Sequence, residues 1–118
     1  MSGREHEIIV RLLESLGITP NSGGGSYISY GIKLCIKNNA YEYNITDLYS
    51  AIAHDHMRSV STVEREIRNA VRTAWKERDS ECWRQVFITS RTFDERPPTN
   101  SLFITAVTEC VKMRLLTA

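Results

Sequence analysis

The sequence predicts an all-α fold, a six-helix domain that contains a helix-turn-helix and spans residues 1–118 as one unit. Apolar residues recur at helical spacing in several separate windows. Between residues 46 and 75 a short apolar helix, a polar turn and a longer basic helix follow one another. The one stretch with strand-like alternation has no partner strand. A length of 118 residues is enough for one core and too short for two.

Two helices joined by a loop are predicted for the N-terminal third. His6–Leu16 has apolar residues along one face and is followed by a glycine that can end a helix. Pro20–Ser26, the sequence P-N-S-G-G-G-S, is predicted to be a loop. Tyr27–Lys37 is predicted to be the second helix. Tyr41–Ile45 alternates apolar and polar residues but stands alone, so we expect a connector there.

The helix-turn-helix is predicted between Thr46 and Trp75. Thr46–Ala53 has the apolar spacing of a short helix, and His54–Arg58 supplies about one turn of polar chain. Ser61–Trp75 is predicted to be the longer second helix, with Val63, Ile67, Ala70, Val71 and Ala74 on the face toward the core.

The start of this second helix carries several capping signals. Ser59 and Ser61 are both residue types that cap helix N-termini. Ser61 and Glu64 also have the spacing of a capping box, in which each side chain accepts a hydrogen bond from the backbone N–H of the other residue.

The last third is predicted to add two helices. Ser80–Phe87 is a short apolar helix, and Thr89–Pro98 is a polar loop that ends in two prolines. Thr99 is expected to cap the final helix, Asn100–Leu116. Its inner side is expected to carry Phe103, Ile104, Val107, Val111 and Leu115, and the aromatic residues Trp75, Trp83 and Phe103 are assigned to the core.

Composition excludes several classes of protein. With 42% hydrophobic and 25% charged residues, the chain is globular rather than disordered. It has neither an apolar run of membrane-spanning length nor a signal peptide. Its three cysteines never form a C-x-x-C pair. We therefore expect a reduced, cytoplasmic protein without a membrane partner.

Positive charge is concentrated in the second helix of the predicted helix-turn-helix. The net charge of the whole chain is only +1, and residues 1–57 carry more acidic than basic side chains. Residues 58–78 carry six Lys and Arg against three Asp and Glu. Arg65, Arg68, Arg72 and Lys76 lie opposite the apolar stripe, as a helix in the DNA major groove requires. A solvated charged face on an ordinary helical bundle is the alternative.

The residues themselves are more specific than the periodicity. Val63–Trp75 contains V-E-R-x-I-R-x-A-V-x-x-A-W, and Pro98–Ile104 contains P-T-N-S-x-F-I at a fixed distance downstream. Together with Tyr49, Ile52 and Ala53 in the preceding helix, these motifs resemble the C-terminal DNA-binding effector domain of stage-zero sporulation protein A, a family of sporulation response regulators. The resemblance extends over nearly the whole chain from about Ile8.

The resemblance and the chemistry of the groove together nominate a set of DNA contacts. Arg65 and Arg68 are predicted to read base edges, since arginine donates two hydrogen bonds to guanine. Glu64 is the third contact residue that the resemblance implies; it could also hold Arg68 as an i, i+4 partner. The predicted contacts to the DNA backbone, which set register, are Arg58, Ser59, Ser61, Asn69 and Arg72.

The resemblance also implies partners. Domains of this kind follow a phosphorylatable receiver domain, bind tandem sites as head-to-tail pairs and contact an RNA polymerase sigma factor. No receiver sequence is present here, so we expect either an excised effector domain or a stand-alone relative. Leu102, where the family often has an acidic residue, and the turn at His54–Arg58 depart from the family pattern. A protein-interaction module that titrates a sporulation regulator or sigma factor is the alternative function.

Other motifs do not support a catalytic, metal or cofactor site. The glycine run lacks the G-K-[S/T] ending of a phosphate-binding loop. His54-Asp55-His56 has no second ligand pair at metal-binding spacing. No spacing in the chain indicates a nucleophile with its base or a pair of catalytic carboxylates. We therefore predict no enzyme activity, no metal and no cofactor.

Overall fold

A computed structural model describes residues 3–87 and 95–117. In these two ranges the chain forms six α-helices and one short 3₁₀ helix, and no strand. The helices are α1 (Gly3–Ser15), α2 (Gly23–Lys37), α3 (Ile45–His56), α4 (Val60–Lys76), α5 (Ser80–Val86) and α6 (Asn100–Leu116), and the 3₁₀ helix is Asn39–Tyr43. The all-α prediction and its count of six helices are confirmed.

The helices pack around one hydrophobic cluster. α2 packs against both α4 and α6, and α1 also packs against α6. Apolar residues of α1, α2, α3, α4 and α6 fill the centre; they include Ile9, Leu13, Ile28, Ile32, Leu48, Ile52, Val63, Ile67, Val107 and Val111. This core holds the outward-facing side of α4 in a fixed orientation.

An aromatic cluster closes one end of the core. The rings of Trp83 and Phe87 stack with their centroids 5.1 Å apart. Phe103 lies 5.8 Å from Trp83, and all three side chains are buried. The indole N–H of Trp83 donates to the Leu16 carbonyl at 3.2 Å, so burying the indole leaves its polar atom bonded. The core assignment of Trp83 and Phe103 is correct, whereas Trp75 is only half-buried at the edge of the core.

The glycine run is not a loop, as the sequence suggested, but the first turn of α2. Ser22 caps this helix and accepts from the Gly25 backbone N–H at 3.2 Å. A Cβ at Gly24 would lie 2.8 Å from the Ala70 Cβ and closer still to the Glu66 carbonyl oxygen. The sequence rule failed because glycine serves here to let α2 approach α4, a requirement that only the tertiary structure shows.

The predicted connector at Tyr41–Ile45 contains the end of the 3₁₀ helix and the first residue of α3. Its Glu42 side chain is buried and forms an ion pair with Lys112 of α6. The same ammonium donates to Asn39 Oδ1 at 3.0 Å. The alternation seen in the sequence thus marks a short helix anchored to α6 and not a strand.

The remaining elements follow the prediction closely. α1 begins three residues before the predicted start, and α6 has the predicted bounds with Thr99 as its cap. Leu115 is half-buried, while the other four predicted inner residues of α6 are buried. Of the predicted loop Thr89–Pro98, residues 89–94 lie outside the described residues.

Candidate nucleic-acid interface

α3 and α4 are joined by a turn of only three residues. The turn begins at Met57, which has φ 55° and ψ 47° and donates its N–H to the carbonyls of Ala53 and His54 at the end of α3. The sequence predicted a longer turn, His54–Arg58, but His54 and His56 belong to the last turn of α3. Helix, tight turn and helix in this order form the helix-turn-helix that the sequence predicted.

Ser59 is the residue that caps α4. Its Oγ accepts from the Thr62 backbone N–H at 3.1 Å and donates to the Thr62 hydroxyl at 2.8 Å. Ser61 lies inside the first turn and contacts Ser59 Oγ at 3.3 Å. The capping box of Ser61 and Glu64 is therefore wrong, because the helix begins at Val60 and Glu64 is engaged elsewhere.

The two faces of α4 are sharply different. Val63, Ile67, Val71 and Ala74 are buried against the core. Opposite them lies an exposed row, which we call the outer row and define as Ser61, Arg65, Asn69 and Arg72, with Lys76 one turn further along. These residues are spaced three or four apart, so their side chains project from the same side of the helix.

Arg65 and Arg72 are the two guanidinium groups of the outer row. Within residues 3–87 and 95–117, neither forms an ion pair or a hydrogen bond with another side chain or with the backbone. The same is true of the side chains of Asn69 in this row and of Arg58 in the turn, and all four residues are exposed. Cationic and polar groups without internal partners are available to an external anion such as a phosphate.

Arg68 differs from Arg65, although the sequence predicted the same role for both. Its guanidinium pairs with the Glu64 carboxylate one turn earlier. The Arg68 and Glu64 side chains are 39% and 36% exposed, since they lie on the flank of α4 beside α6. The structure therefore brings Glu64 and Arg68 together as a pair and places Arg65 away from them on the outer row.

Asn100 is a residue of this region to which the sequence analysis gave no role. It is buried at the start of α6, and its Nδ2 donates to Tyr49 Oη of α3 at 3.0 Å and to the Glu64 carbonyl of α4 at 3.1 Å. Burial raises the pKa of the Tyr49 phenol. The P-T-N-S motif was the signal that could have revealed it, because a polar residue at a predicted core boundary needs a partner.

A cleft of about 460 Å³ lies beside this bond network, between α4 and the chain that enters α6. Arg68 and Arg72 line it on the α4 side, and Pro97, Pro98 and Thr99 line it on the other. The flank of the candidate interface is thus built jointly by α4 and the P-P-T-N segment.

The histidines of His54-Asp55-His56 have partners within the fold. His56 Nδ1 lies 2.8 Å from the Ile52 carbonyl oxygen, and its ring packs edge-on against Tyr27 and Tyr30. Asp55 accepts from the Tyr30 hydroxyl, and this bond, together with His54, lowers the pKa of its carboxyl group. Among the described residues, no group of three or more His, Cys, Asp and Glu side chains is arranged to hold a metal ion.

The sequence was compared with models of protein families. The model of a family described as "Sporulation initiation factor Spo0A C terminal" matches residues 9–111. The match includes α2 to α5 completely and both motifs on which the resemblance rested.

In the part of the chain that the structure describes, no helix has the length and apolar character to cross a bilayer.

Proposed function

This chain belongs to the family of the sporulation initiation factor Spo0A C-terminal domain, a family of DNA-binding regulators of transcription, and we propose that it recognises double-stranded DNA sequence-specifically through α4. In this proposal α4 lies in the major groove, and α3 crosses above it toward the DNA backbone, as in other helix-turn-helix proteins. The domain would regulate sporulation-related promoters.

The observation that carries the proposal is the outer row of α4. An arginine in a helical surface often pairs with a carboxylate one turn away, as Arg68 does with Glu64. Arg65 and Arg72 have no such partner among the described residues, and they lie on the face opposite the buried stripe. A major groove about 12 Å wide admits a helix with this arrangement.

Arg65 is the proposed reader of a base edge. It lies within the first two turns of α4, the part of a recognition helix that reaches the bases. Its guanidinium can donate two parallel hydrogen bonds to guanine O6 and N7.

Glu64 and Arg68 are proposed to read the adjacent bases as a pair. The carboxylate holds the guanidinium on the flank of α4 and so limits the directions in which it can donate. A Glu64 oxygen can in turn accept from a cytosine amino group. Because the Arg68 guanidinium is already paired with the Glu64 carboxylate, its charge is partly neutralised and attracts the DNA phosphates less strongly.

Arg58, Ser59, Ser61, Asn69 and Arg72 are proposed to contact the DNA backbone. Arg58 and Ser59 lie in the turn between α4 and α3, the helix that crosses the DNA backbone in helix-turn-helix complexes. Hydroxyl and amide donors from Ser61 and Asn69 can bond to phosphate oxygens without adding charge. These contacts set the register in which Arg65 meets its base.

Two copies are proposed to bind tandem sites head to tail. The molecule measures 36 × 33 × 25 Å, and sites one helical turn apart are about 34 Å from each other, so neighbouring copies would touch. α6 presents an apolar groove of about 550 Å³ lined by Val86, Leu102, Ala106, Cys110 and Met113. This groove is the proposed contact with the second copy, and an RNA polymerase sigma factor is a further proposed partner.

Selection of binding sites from random duplex DNA, followed by a salt titration on the selected site, tests the proposed function. We expect a defined consensus and a log–log slope of about −2 or steeper, since two or more arginines displace counterions. Enrichment of no sequence, with no binding even at low salt, would contradict DNA recognition. That result would favour the module that titrates another regulator or sigma factor.

A further inference from the structure

Three helices meet at the side chain of Asn100. The two protons on Nδ2 are both used, one toward the Tyr49 hydroxyl of α3 at 3.0 Å and the other toward the Glu64 carbonyl of α4 at 3.1 Å. Asn100 itself is the first residue of α6. One buried amide thus joins both helices of the helix-turn-helix to a third helix outside it.

The backbone that carries this amide is held in place. Thr99 caps α6 by accepting from the Leu102 backbone N–H at 3.1 Å. Pro97 and Pro98 precede the cap, and proline restricts both its own φ and the conformation of the residue before it. The amide can therefore act as a fixed point for the two helices that it contacts.

A bond outside the turn helps to hold α3 and α4 in one relative orientation. The turn between α3 and α4 contains a non-glycine residue in the left-handed region, Met57, which is 92% exposed. The buried stripe of α4 determines which face of the helix meets the core, and a hydrogen bond to α4 adds a defined distance and angle at one point. Hydrogen bonds have the directional preference that apolar packing lacks.

We propose that Asn100 is a positioning residue for sequence readout. It fixes the rotation of α4 about its own axis and its position along that axis relative to α3, so that Arg65 and the Glu64–Arg68 pair meet their bases in one register. The bond to the Glu64 carbonyl is made at a residue of that pair. This inference rests on the proposed function. It adds a residue that influences readout by positioning α4, without itself contacting DNA.

The sharpest variant is Asn100→Asp. Aspartate has the shape of asparagine but donates nothing, and its oxygen would face the Glu64 carbonyl oxygen. A carboxylate in the first turn of α6 is favourable with the helix dipole, so the change should not unwind α6 itself. Tyr49→Phe removes one of the two bonds without adding charge, and Val111→Ala destabilises α6 from its buried side without touching the network.

The measurement is the ratio of affinities for the selected duplex and for a scrambled duplex of equal length, at a temperature where each variant is fully folded. Replacing the amide donor with a carboxylate that faces the Glu64 carbonyl predicts a fall of about tenfold in this ratio for Asn100→Asp, and loss of the Tyr49 hydroxyl predicts a fall of about threefold. Val111→Ala should lower the melting temperature and leave the ratio unchanged within about twofold. Added negative charge alone would weaken both duplexes equally and leave the ratio unchanged.

The possible results separate the two proposals. If the wild-type chain binds both duplexes equally, the proposed function fails, and the role of Asn100 fails with it. If the wild type discriminates and both network variants keep its ratio, Asn100 is only a structural residue and the inference is overturned. Should Asn100→Asp fail to fold, Tyr49→Phe decides the question alone, since phenylalanine keeps the packing of the ring.

Discussion

Arg65 and Arg68 carry the same group three residues apart, yet their surroundings differ. Helical periodicity placed both on the outer side of α4, but periodicity alone does not show which side chains pair with each other. Glu64 precedes Arg68 by one turn and pairs with it, whereas position 61, one turn before Arg65, is a serine. The i, i+4 rule anticipates this difference from the sequence, in which Glu64 is a candidate partner of Arg68.

Replacing Arg65 with alanine should weaken binding to the selected duplex by about 1–3 kcal/mol and relax the preference at one base position. Arg65 is exposed and forms no ion pair with another described side chain, so helix content and melting temperature should not change. The matched control is Arg72→Ala, which should weaken selected and random duplexes alike. Equal weakening on both duplexes by Arg65→Ala would reassign Arg65 to a phosphate.

A second prediction at this scale separates the two aromatic residues that the sequence placed together in the core. Phe103 is fully buried, so Phe103→Ala should lower the free energy of unfolding by about 3–5 kcal/mol. Trp75 is half-buried, with the Arg78 guanidinium 4.4 Å above its ring, and Trp75→Ala should cost less than Phe103→Ala. Denaturant unfolding of both variants measures the difference, and an equal or larger loss for Trp75 would show that the ring belongs to the core.

Whole elements were predicted more reliably than their ends. The apolar stripes of α1, α4 and α6 lie where periodicity placed them, because burial of one face decides a helix. The errors fall where a local signal has a tertiary cause. Glycines at 23–25 read as a loop, but they mark the close crossing of α2 and α4, and Ser59 rather than Ser61 caps α4 because the turn is tighter than composition indicated.

The crossing of α2 and α4 can be tested with Gly24→Ala. The added methyl would meet the Ala70 Cβ at 2.8 Å and the backbone of Glu66, which cannot move without displacing α4. We expect a loss of about 1–3 kcal/mol in the free energy of unfolding from overpacking. Gly3→Ala is the control, because a Cβ there meets nothing within 4 Å. A Gly24→Ala protein as stable as Gly3→Ala would mean that the two helices are not held at this distance.

At the scale of the whole molecule, the net charge of +1 gives no sign of nucleic-acid binding. The fold brings the basic residues of the turn and α4 together on one surface. The uneven distribution of basic residues along the chain already indicated this. The sequence could not supply the bond network at Asn100, because residues 49, 64 and 100 are distant in the chain and meet only through packing. Motif resemblance pointed to the segment but not to its partners.

Assembly on DNA is the prediction that belongs to this scale. We expect a monomer or weak dimer in free solution that binds tandem sites cooperatively when they are about one helical turn apart. Insertion of about five base pairs turns one site by half a turn and should abolish the cooperativity, as measured by gel shift on one-site and two-site duplexes. Met113→Glu in the α6 groove should reduce two-site binding and leave one-site affinity unchanged. Two-site affinity that survives the insertion would exclude contact between the copies.

Sequence recognition by this domain requires that the outer row of α4 be the surface that meets DNA. A ¹⁵N-labelled sample titrated with the selected duplex tests it residue by residue, through shifts of backbone amides and of the arginine side-chain N–H groups. We predict the largest shifts from Met57 to Arg72, including the Arg65 side chain, with small shifts on α1. Shifts confined to the α6 groove, with Arg65 and the rest of α4 unchanged, would contradict the claim.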